Sequence, residues 1–435
     1  MNIKPFLFAL ASLACTANAN AQISPAEGQM AQTVDSEYER SVALLEKLVN
    51  ENSGTMNLAG VEKVGAMMRA ELEPLGFDAV WKPMAEAGRA GHLIATHKGK
   101  PGRKRLLLIG HLDTVFELDS PFQTFVRDGE QAEGPGVGDD KGGMVVMLSA
   151  LHAMHAAGIL QDANIEIVLT GDEEDVSDPL EIARADLIAA GKRADVALDF
   201  EGLVIDEGKD MGSIARRSSN SWTLTTSGKT GHSSLIFNAE YGDGAVNEMA
   251  RILAAFRTQL PEPNLTFNTG IVVGGAAAAL EDDSLKAAAS GKTNIIPSIA
   301  MARGDFRTLS EEQTQRTRKR MQAIVDAHLP GTDAKIVFDP GGYPSMPPTD
   351  GNRTLLAKLN EVNADLGLPQ MPALDPVKRG AGDISFVAGD VDGLAGLGTY
   401  SRGDHAPGET VDLDSIRRQA KRAAILMTRL SREQR

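Results

Sequence analysis

Residues 105–113 read RLLLIGHLD, a run of apolar residues that ends in a histidine and an aspartate. Two later stretches repeat this pattern, NIEIVLTGDEE at 164–174 and VALDFEG at 196–202. Near-continuous apolar runs of this length are typical of strands buried on both faces, as in parallel sheets covered by helices. The sequence therefore predicts an α/β fold with a mostly parallel sheet. Its charged residues fall just past the strand ends, where open α/β sheets bind ligands.

A second unit interrupts this alternation. From about residue 213 the chain predicts strand, helix, strand, strand, helix and strand, in the segments SWTLTTSG, GDGAVNEMARILAAF, LTFNTGIVVGG, SIAMARGDFRTL, SEEQTQRTRKRMQAIVDAHL and AKIVFDPG. This β-α-β-β-α-β order is the split ferredoxin-like unit. Helix–strand alternation then returns, and the chain ends in a basic amphipathic helix. We therefore predict an α/β domain in two parts, 22–212 and 342–435, interrupted by a small domain at 213–341.

The N-terminus resembles a secretory signal peptide, which we place at residues 1–21. Lys4 supplies the positive charge, residues 5–15 form a short apolar run, and small residues suitable for cleavage follow. The run is too short to span a membrane, and no second run of spanning length appears, so we expect no transmembrane segment in the mature chain. Export to a periplasm is the main prediction. Secretion is an alternative, and a lipid anchor at Cys15 is a weaker one, because Ser12 stands where a leucine is expected.

Composition excludes some partners. The 435 residues carry a formal net charge of -15, which argues against binding to nucleic acid or to an anionic membrane, since both reward basic surfaces. Cys15 is the only cysteine. The mature chain would therefore have neither a disulfide nor a thiol nucleophile. Composition does not distinguish an enzyme from a binding protein.

Acidic residues and histidines recur at successive predicted strand ends. They are His111, Asp113, Asp139, Asp140, Glu173, Glu174, Glu201 and His405. Each alone is most simply a surface residue or part of a solvated loop. Together, without neighbouring cations, they would repel one another or shift their pKa values upward, and a pair of divalent cations would neutralise them. Nitrogen and oxygen ligands without sulfur suit zinc, with cobalt or manganese as lesser options.

The motifs GHLDTV, GPGVGDDKGG, GDEE, DFEG, GKTGHSS and NIIP, with a late histidine in GDHAPGET, resemble those of the di-zinc exopeptidases. That group includes bacterial glutamate carboxypeptidase, aminoacylase, acetylornithine deacetylase and succinyl-diaminopimelate desuccinylase. The resemblance runs from about residue 40 to 430 and is strongest to the glutamate carboxypeptidase type. It implies a zinc exopeptidase domain interrupted by a lid domain, which in this family usually also forms a homodimer contact.

The resemblance also implies a site that holds two zinc ions per subunit. Asp139 matches the carboxylate that bridges both ions. His111 and Glu201 match the terminal ligands of one ion, and Glu174 and His405 match those of the other. In related enzymes the peptide bond that follows the bridging aspartate is cis.

The remaining implied roles concern catalysis and substrate. Glu173 matches the general base, and Asp113 matches the partner that orients His111. His232 would help hold the oxyanion, either within the subunit or from across the dimer. Five further residues would contact the substrate or lie near its C-terminus: Asn294, Arg307, Gly380, Gly382 and Asp383.

The implied activity is hydrolysis of an amide bond in small peptides or N-acyl amino acids, with release of the C-terminal amino acid. Glutamate-specific relatives carry an arginine where this chain has Tyr343, and a tyrosine cannot form a bidentate charged pair with a carboxylate. Preference for C-terminal glutamate is therefore in doubt, unless Arg216, Arg217 or Arg379 compensates. Two alternatives stay open: a deacylase of the acetylornithine or desuccinylase type, and a relative that binds without catalysis.

Overall fold

The computed structural model describes residues 23–281 and 286–435. The predicted signal peptide at 1–21 lies outside these residues. Within them, no helix is both long enough and apolar enough to cross a membrane.

The elements are numbered in chain order. The helices are α1 (Pro25–Ser36), α2 (Tyr38–Val49), α3 (Leu58–Leu72), α4 (Lys141–Ala156), α5 (Leu180–Ala183), α6 (Ala185–Arg193), α7 (Ala245–Gln259), α8 (Glu311–Val325), α9 (Asp350–Asp365) and α10 (Asp414–Ser431). The strands are β1 (Asp78–Met84), β2 (Arg89–His97), β3 (Arg105–His111), β4 (Val126–Asp128), β5 (Gln131–Glu133), β6 (Asn164–Thr170), β7 (Val196–Asp199), β8 (Ile205–Asp206), β9 (Lys209–Asp210), β10 (Asn220–Gly228), β11 (Thr266–Gly275), β12 (Ala277–Glu281), β13 (Lys286–Ser290), β14 (Ile299–Arg307), β15 (Thr332–Phe338), β16 (Gly393–Leu394), β17 (Ser401–Arg402) and β18 (Thr410–Asp412).

The central sheet confirms the predicted α/β class. Its order is β1-β2-β6-β3-β7-β16, and the pairs β6–β3, β3–β7 and β7–β16 are parallel. Strand β3 is buried on both faces: Leu106 and Leu108 belong to one hydrophobic cluster, and Leu107 and Ile109 to another. This double burial is why the strand is apolar without alternation. Because β3, β6 and β7 are parallel, their carboxyl ends lie at the same edge of the sheet.

A small antiparallel sheet lies beside that edge. Its order is β17-β18-β5-β4, and it joins the hairpin after β17 to the segment that leads into α4. Helix α4 is buried along nearly its whole length because its apolar residues contact α1, α2 and α10 as well as the sheet. This packing positions the start of α4, and with it the two adjacent aspartates Asp139 and Asp140 that immediately precede the helix, at the sheet edge.

The inserted unit forms a second sheet with its own core. Its order is β11-β14-β10-β15, fully antiparallel, with α7 and α8 packed against it. This is the strand order expected of a β-α-β-β-α-β unit. The core centres on Trp222, Phe256 and Phe306, which are fully or almost fully buried. We call this unit the lid.

One element of the lid was absent from the predicted order. This element is the antiparallel pair of β12 (Ala277–Glu281) and β13 (Lys286–Ser290). Its side chains are mostly exposed alanines, so it contributes little to the core and leaves no hydrophobic periodicity in the sequence.

Candidate metal centre

Five of the predicted metal-site and catalytic residues, Asp139, Glu173, Glu174, Glu201 and His405, line a cavity of about 610 Å³ at the carboxyl edge of the central sheet. The cavity lies between that edge and the lid. It is lined by Asp139, Glu173, Glu174, Glu201, Gly202, Val204, Arg216, Ser219, Arg307, Tyr343, Lys378, Arg379, Gly380, Ala381, Ser401, Asp404 and His405. Acidic groups and imidazoles lie beside a set of cations, so the cavity presents charges of both signs.

Asp139 lies between two imidazoles. Its Oδ1 is 3.0 Å from His111 Nε2, and its Oδ2 is 3.0 Å from His405 Nε2. The peptide bond Asp139–Asp140 is cis, as the resemblance implied. Asp140 is fully buried and directs Oδ2 toward the backbone N–H of His111, away from the imidazoles. The adjacent aspartates therefore face different surroundings.

Glu174 completes a compact group of ligand atoms. One ligand atom each from His111, Asp139 and Glu174 lie within 4.8 Å of one another. Glu174 Oε2 is also 3.3 Å from His405 Nε2. This spacing is suitable for a metal ion, with His405 adjoining the same group from a separate loop.

Asp113 fixes the position of three of these residues. Its Oδ1 lies 3.4 Å from His111 Nδ1 and accepts the backbone N–H of Glu173 at 3.0 Å. Its Oδ2 accepts the N–H of Glu174 at 3.0 Å and the hydroxyl of Thr55 at 2.7 Å. Asp113 thus orients the imidazole and also holds the loop that carries both glutamates.

The electrostatics show how little of the negative charge is neutralised. Burial and the nearby charge of Asp139 raise the pKa of Glu174 to about 10, and burial also raises the pKa of Glu173 well above its usual range. Burial disfavours the ionised form of Asp139 too, but contacts with His111 and His405 outweigh it and lower its pKa.

These groups fit a divalent cation. Two imidazoles and several carboxylates without a thiolate form a donor set that suits zinc and related ions. A bound cation would favour the ionised form of both glutamates and so oppose the rise in pKa that burial causes. Asp139 directs one carboxylate oxygen toward each imidazole.

Glu201 lies in the same cavity but is held by arginines. Its Oε2 is 2.5 Å from Arg216 Nη1 and 3.4 Å from Arg379 Nη2. Arg216 also donates from Nε to the carbonyl of Gly380. If Glu201 binds a metal ion, its carboxylate would contact that ion and the two arginines at the same time.

The predicted substrate residues divide into two groups. Arg307 and Gly380 line the cavity. Gly382 adjoins it, since a side chain there would collide with Arg216 and Glu201. His232 and Asn294 are neighbours in the lid: His232 forms a β-bridge with Ile295, and the N–H of Ser233 donates to the carbonyl oxygen of Asn294. Neither residue lines the cavity.

Asp383 lies beneath the cavity in a buried network that the sequence did not reveal. Arg184, fully buried, donates from Nε to Asp383 at 2.7 Å and from Nη1 to Asp172 at 2.5 Å. Its Nη2 donates to the hydroxyl of Tyr343, which in turn donates to the carbonyl oxygen of Glu173 at 2.8 Å. Arg184 lies between α5 and α6, far along the chain from Tyr343 and Asp383, so only the fold could pair them.

Replacing Arg184 by alanine should lower the free energy of unfolding by about 3–5 kcal/mol, because it leaves two buried carboxylates without their cation. Urea denaturation measures the change. Arg193→Ala is the matched control, since Arg193 pairs with Glu166 at the surface, where a pair contributes about 0–1 kcal/mol. Equal losses in both variants would contradict the structural role given to Arg184.

Comparison with known proteins identifies the relatives of this chain. The sequence profile of Peptidase family M20/M25/M40 matches residues 107–429. Carboxypeptidase G2 of Pseudomonas sp. (strain RS-16) is 28% identical over 413 residues, covering 91% of this chain and 90% of that protein. Succinyl-diaminopimelate desuccinylase of Leptothrix cholodnii is 27% identical over 321 residues, covering 70% and 78%.

Solved structures share the fold. The aminopeptidase PepT of Bacillus cereus superposes with a TM-score of 0.72 at 19% identity, covering 91% of this chain and 99% of that one. The M20 family metallo-carboxypeptidase Sso-CP2 of Sulfolobus solfataricus superposes with a TM-score of 0.64 at 16% identity, covering 90% and 99%. At these identities the likeness establishes the architecture.

Proposed function

Because the chain belongs to Peptidase family M20/M25/M40, we propose that it is a di-zinc metallohydrolase that releases a C-terminal amino acid from small peptides or N-acyl amino acids. Members of this family are hydrolases of the metallopeptidase and amidohydrolase type. The number and identity of the metals, the direction of cleavage and the substrate are parts of the proposal.

The observation that carries the proposal is the position of Asp139 between His111 and His405. A carboxylate that offers one oxygen to each of two imidazoles suits the bridging role in a pair of metal ions. Glu174 and Glu201 would supply the remaining terminal ligands. When bound, the ions would polarise the scissile carbonyl and make the attacking water more acidic.

Glu173 is the residue that we assign to proton transfer. It lines the cavity beside Glu174, and its backbone is fixed by Asp113 and by the hydroxyl of Tyr343. Its carboxylate would take the proton of the attacking water and return it to the nitrogen of the leaving amine. A carboxylate fixed beside the proposed metal ligands is suited to both transfers.

The lid would supply the groups that meet the oxyanion and the substrate carboxylate. Arg307 reaches the cavity in this arrangement, whereas His232 and Asn294 would need to approach it by lid movement or from a second subunit. We therefore include a homodimer through the lid in the proposal, with His232 as the oxyanion contact.

The cavity has cations that could replace the arginine missing at Tyr343. Of the three arginines considered from the sequence, Arg216 and Arg379 line the cavity, whereas Arg217 bonds to Thr266 and to the carbonyl of Val377. Arg216 is occupied by Glu201 and two loop carbonyls. The buried Nε–H of Arg379 has no hydrogen-bond acceptor among the described residues. It could therefore donate a hydrogen bond to an anionic substrate.

We expect metal-dependent release of the C-terminal residue from a panel of dipeptides and N-acyl amino acids with Glu, Asp and apolar C-termini. Chelator treatment should abolish release, and added Zn²⁺ should restore it, because His111, Asp139 and Glu174 bring ligand atoms close enough together to hold a metal ion. Chromatography of the released amino acids and metal analysis of the purified protein provide the measurements. Acetylornithine and succinyl-diaminopimelate in the panel test the deacylase alternative.

Two results would change the proposal. A protein with no more than trace metal and no activation by divalent ions would favour a relative that binds without catalysis. Hydrolysis confined to the acetylated or succinylated biosynthetic substrates would favour the deacylase. The predicted export signal at 1–21 argues against that outcome, since those substrates are cytoplasmic.

A further inference from the structure

A buried glutamate lies behind the bridging aspartate. Glu409 has none of its surface exposed. Its Oε1 accepts the backbone N–H of Gly138 at 2.7 Å and of Asp139 at 3.1 Å, and its Oε2 accepts that of Gly136 at 3.0 Å. Converging backbone N–H groups form an anion-binding concavity, and in this chain an internal carboxylate fills it.

Glu409 also belongs to the loop that carries His405. That loop connects β17 to β18, and Glu409 immediately precedes β18, which pairs with β5. The carbonyl of Glu409 accepts the N–H of Gly134, just after β5. The side chain therefore joins two loops that are far apart in sequence, one with Asp139 and the other with His405.

The two imidazoles differ in how they are anchored. His111 ends the buried strand β3, and its ring contacts Asp113, so its position does not depend on Glu409. The His405 side chain is 57% exposed and stands on a loop at a φ of 65°. The hydrogen bonds of Glu409 thus tie the loop of His405 directly to the segment that carries Asp139.

We propose that Glu409 is a positioning residue that keeps the side chains of Asp139 and His405 at a fixed spacing. Through this spacing it would increase the affinity of the site for the metal ion on the His405 side more than for the other ion. This inference rests on the proposed metal centre. The ion on the His111 side should depend on it less, because Asp113 holds that imidazole independently.

Glu409→Gln is the sharpest test because it keeps the size of the side chain. The amide of glutamine has one accepting oxygen in place of two. Its NH₂ group would face at least one of the backbone N–H groups that Glu409 now accepts, and that N–H would lose its acceptor. Glu248→Gln is the matched control: Glu248 is also fully buried and accepts the N–H of Leu329 at 3.0 Å, but it lies in the lid core beside Arg251.

The experiment titrates Zn²⁺ into the chelator-treated full chain by calorimetry and repeats the titration with Co²⁺, whose visible spectrum reports ligand geometry. We expect Glu409→Gln to weaken the second ion by about 10–100-fold while the first binds as in the unsubstituted protein. Loss of the second ion should lower kcat more than it changes KM. Glu248→Gln should leave both affinities and the Co²⁺ spectrum unchanged.

Three results would overturn the inference. They are unchanged binding of both ions in Glu409→Gln, equal weakening of both ions, and a fall in the metal-free melting temperature that exceeds the fall in Glu248→Gln. The last would assign Glu409 to general stability. If the unsubstituted protein itself binds no metal, the proposed metal centre fails, and that result is separate from any behaviour of the variant.

Discussion

Replacing Glu173 by glutamine should abolish turnover while both metal ions stay bound. Loss of a positioned general base costs about 10²–10⁴-fold in rate, and the amide cannot take a proton from water. Glu173 lines the cavity but is not part of the compact group of His111, Asp139 and Glu174, so its removal should not open the metal site. Steady-state kinetics on the best substrate, with metal analysis of the same sample, measure the effect.

The neighbouring glutamate is the matched control. Glu174→Gln alters a ligand atom of the compact group, so it should lower metal content as well as activity. Both residues follow β6, and both have a backbone N–H held by Asp113, so a difference between the variants cannot come from the loop alone. Full activity in Glu173→Gln would remove this residue from the proton transfer.

Much of this site could be predicted from the sequence because its residues stand at the ends of strands. His111 directly ends β3, and Glu173 and Glu174 follow β6 within a few residues. Parallel strands bring their carboxyl ends to the same edge, so the order of motifs along the chain becomes proximity in space. The apolar run of β3 predicted the sheet, because Leu106 and Leu107 each face a different buried cluster.

Other features depend on contacts between distant segments. The resemblance predicts Glu201 as a ligand. Its ion pair with Arg216, however, depends on the path of the chain into the lid, and no local sequence pattern indicates that path. The same holds for Arg184 with Asp383 and for Glu409 with the N–H groups before α4. Backbone donors carry no side-chain signature, so a carboxylate that binds them looks in the sequence like any surface glutamate.

The adjacent aspartates Asp139 and Asp140 show how backbone direction separates two identical side chains. Asp139 presents its oxygens to His111 and His405, whereas Asp140 is fully buried and accepts the N–H of His111 at 3.2 Å. One carboxylate can therefore hold metal ions, and the other supports the end of β3. The motif alone suggests these roles by resemblance, and the two different sets of contacts support the same proposal.

Asp139→Ala should remove both metal ions and all activity, because it deletes the one carboxylate that both imidazoles share. The loss of affinity should exceed the roughly 10–100-fold that follows loss of an outer supporting residue. Asp140→Asn keeps an oxygen acceptor for the N–H of His111, so it should retain both ions and change mainly stability. Metal analysis after dialysis and calorimetric titration with Zn²⁺ separate the two variants. Retention of both ions in Asp139→Ala, or their loss in Asp140→Asn alone, would show that the bridging role belongs to another residue.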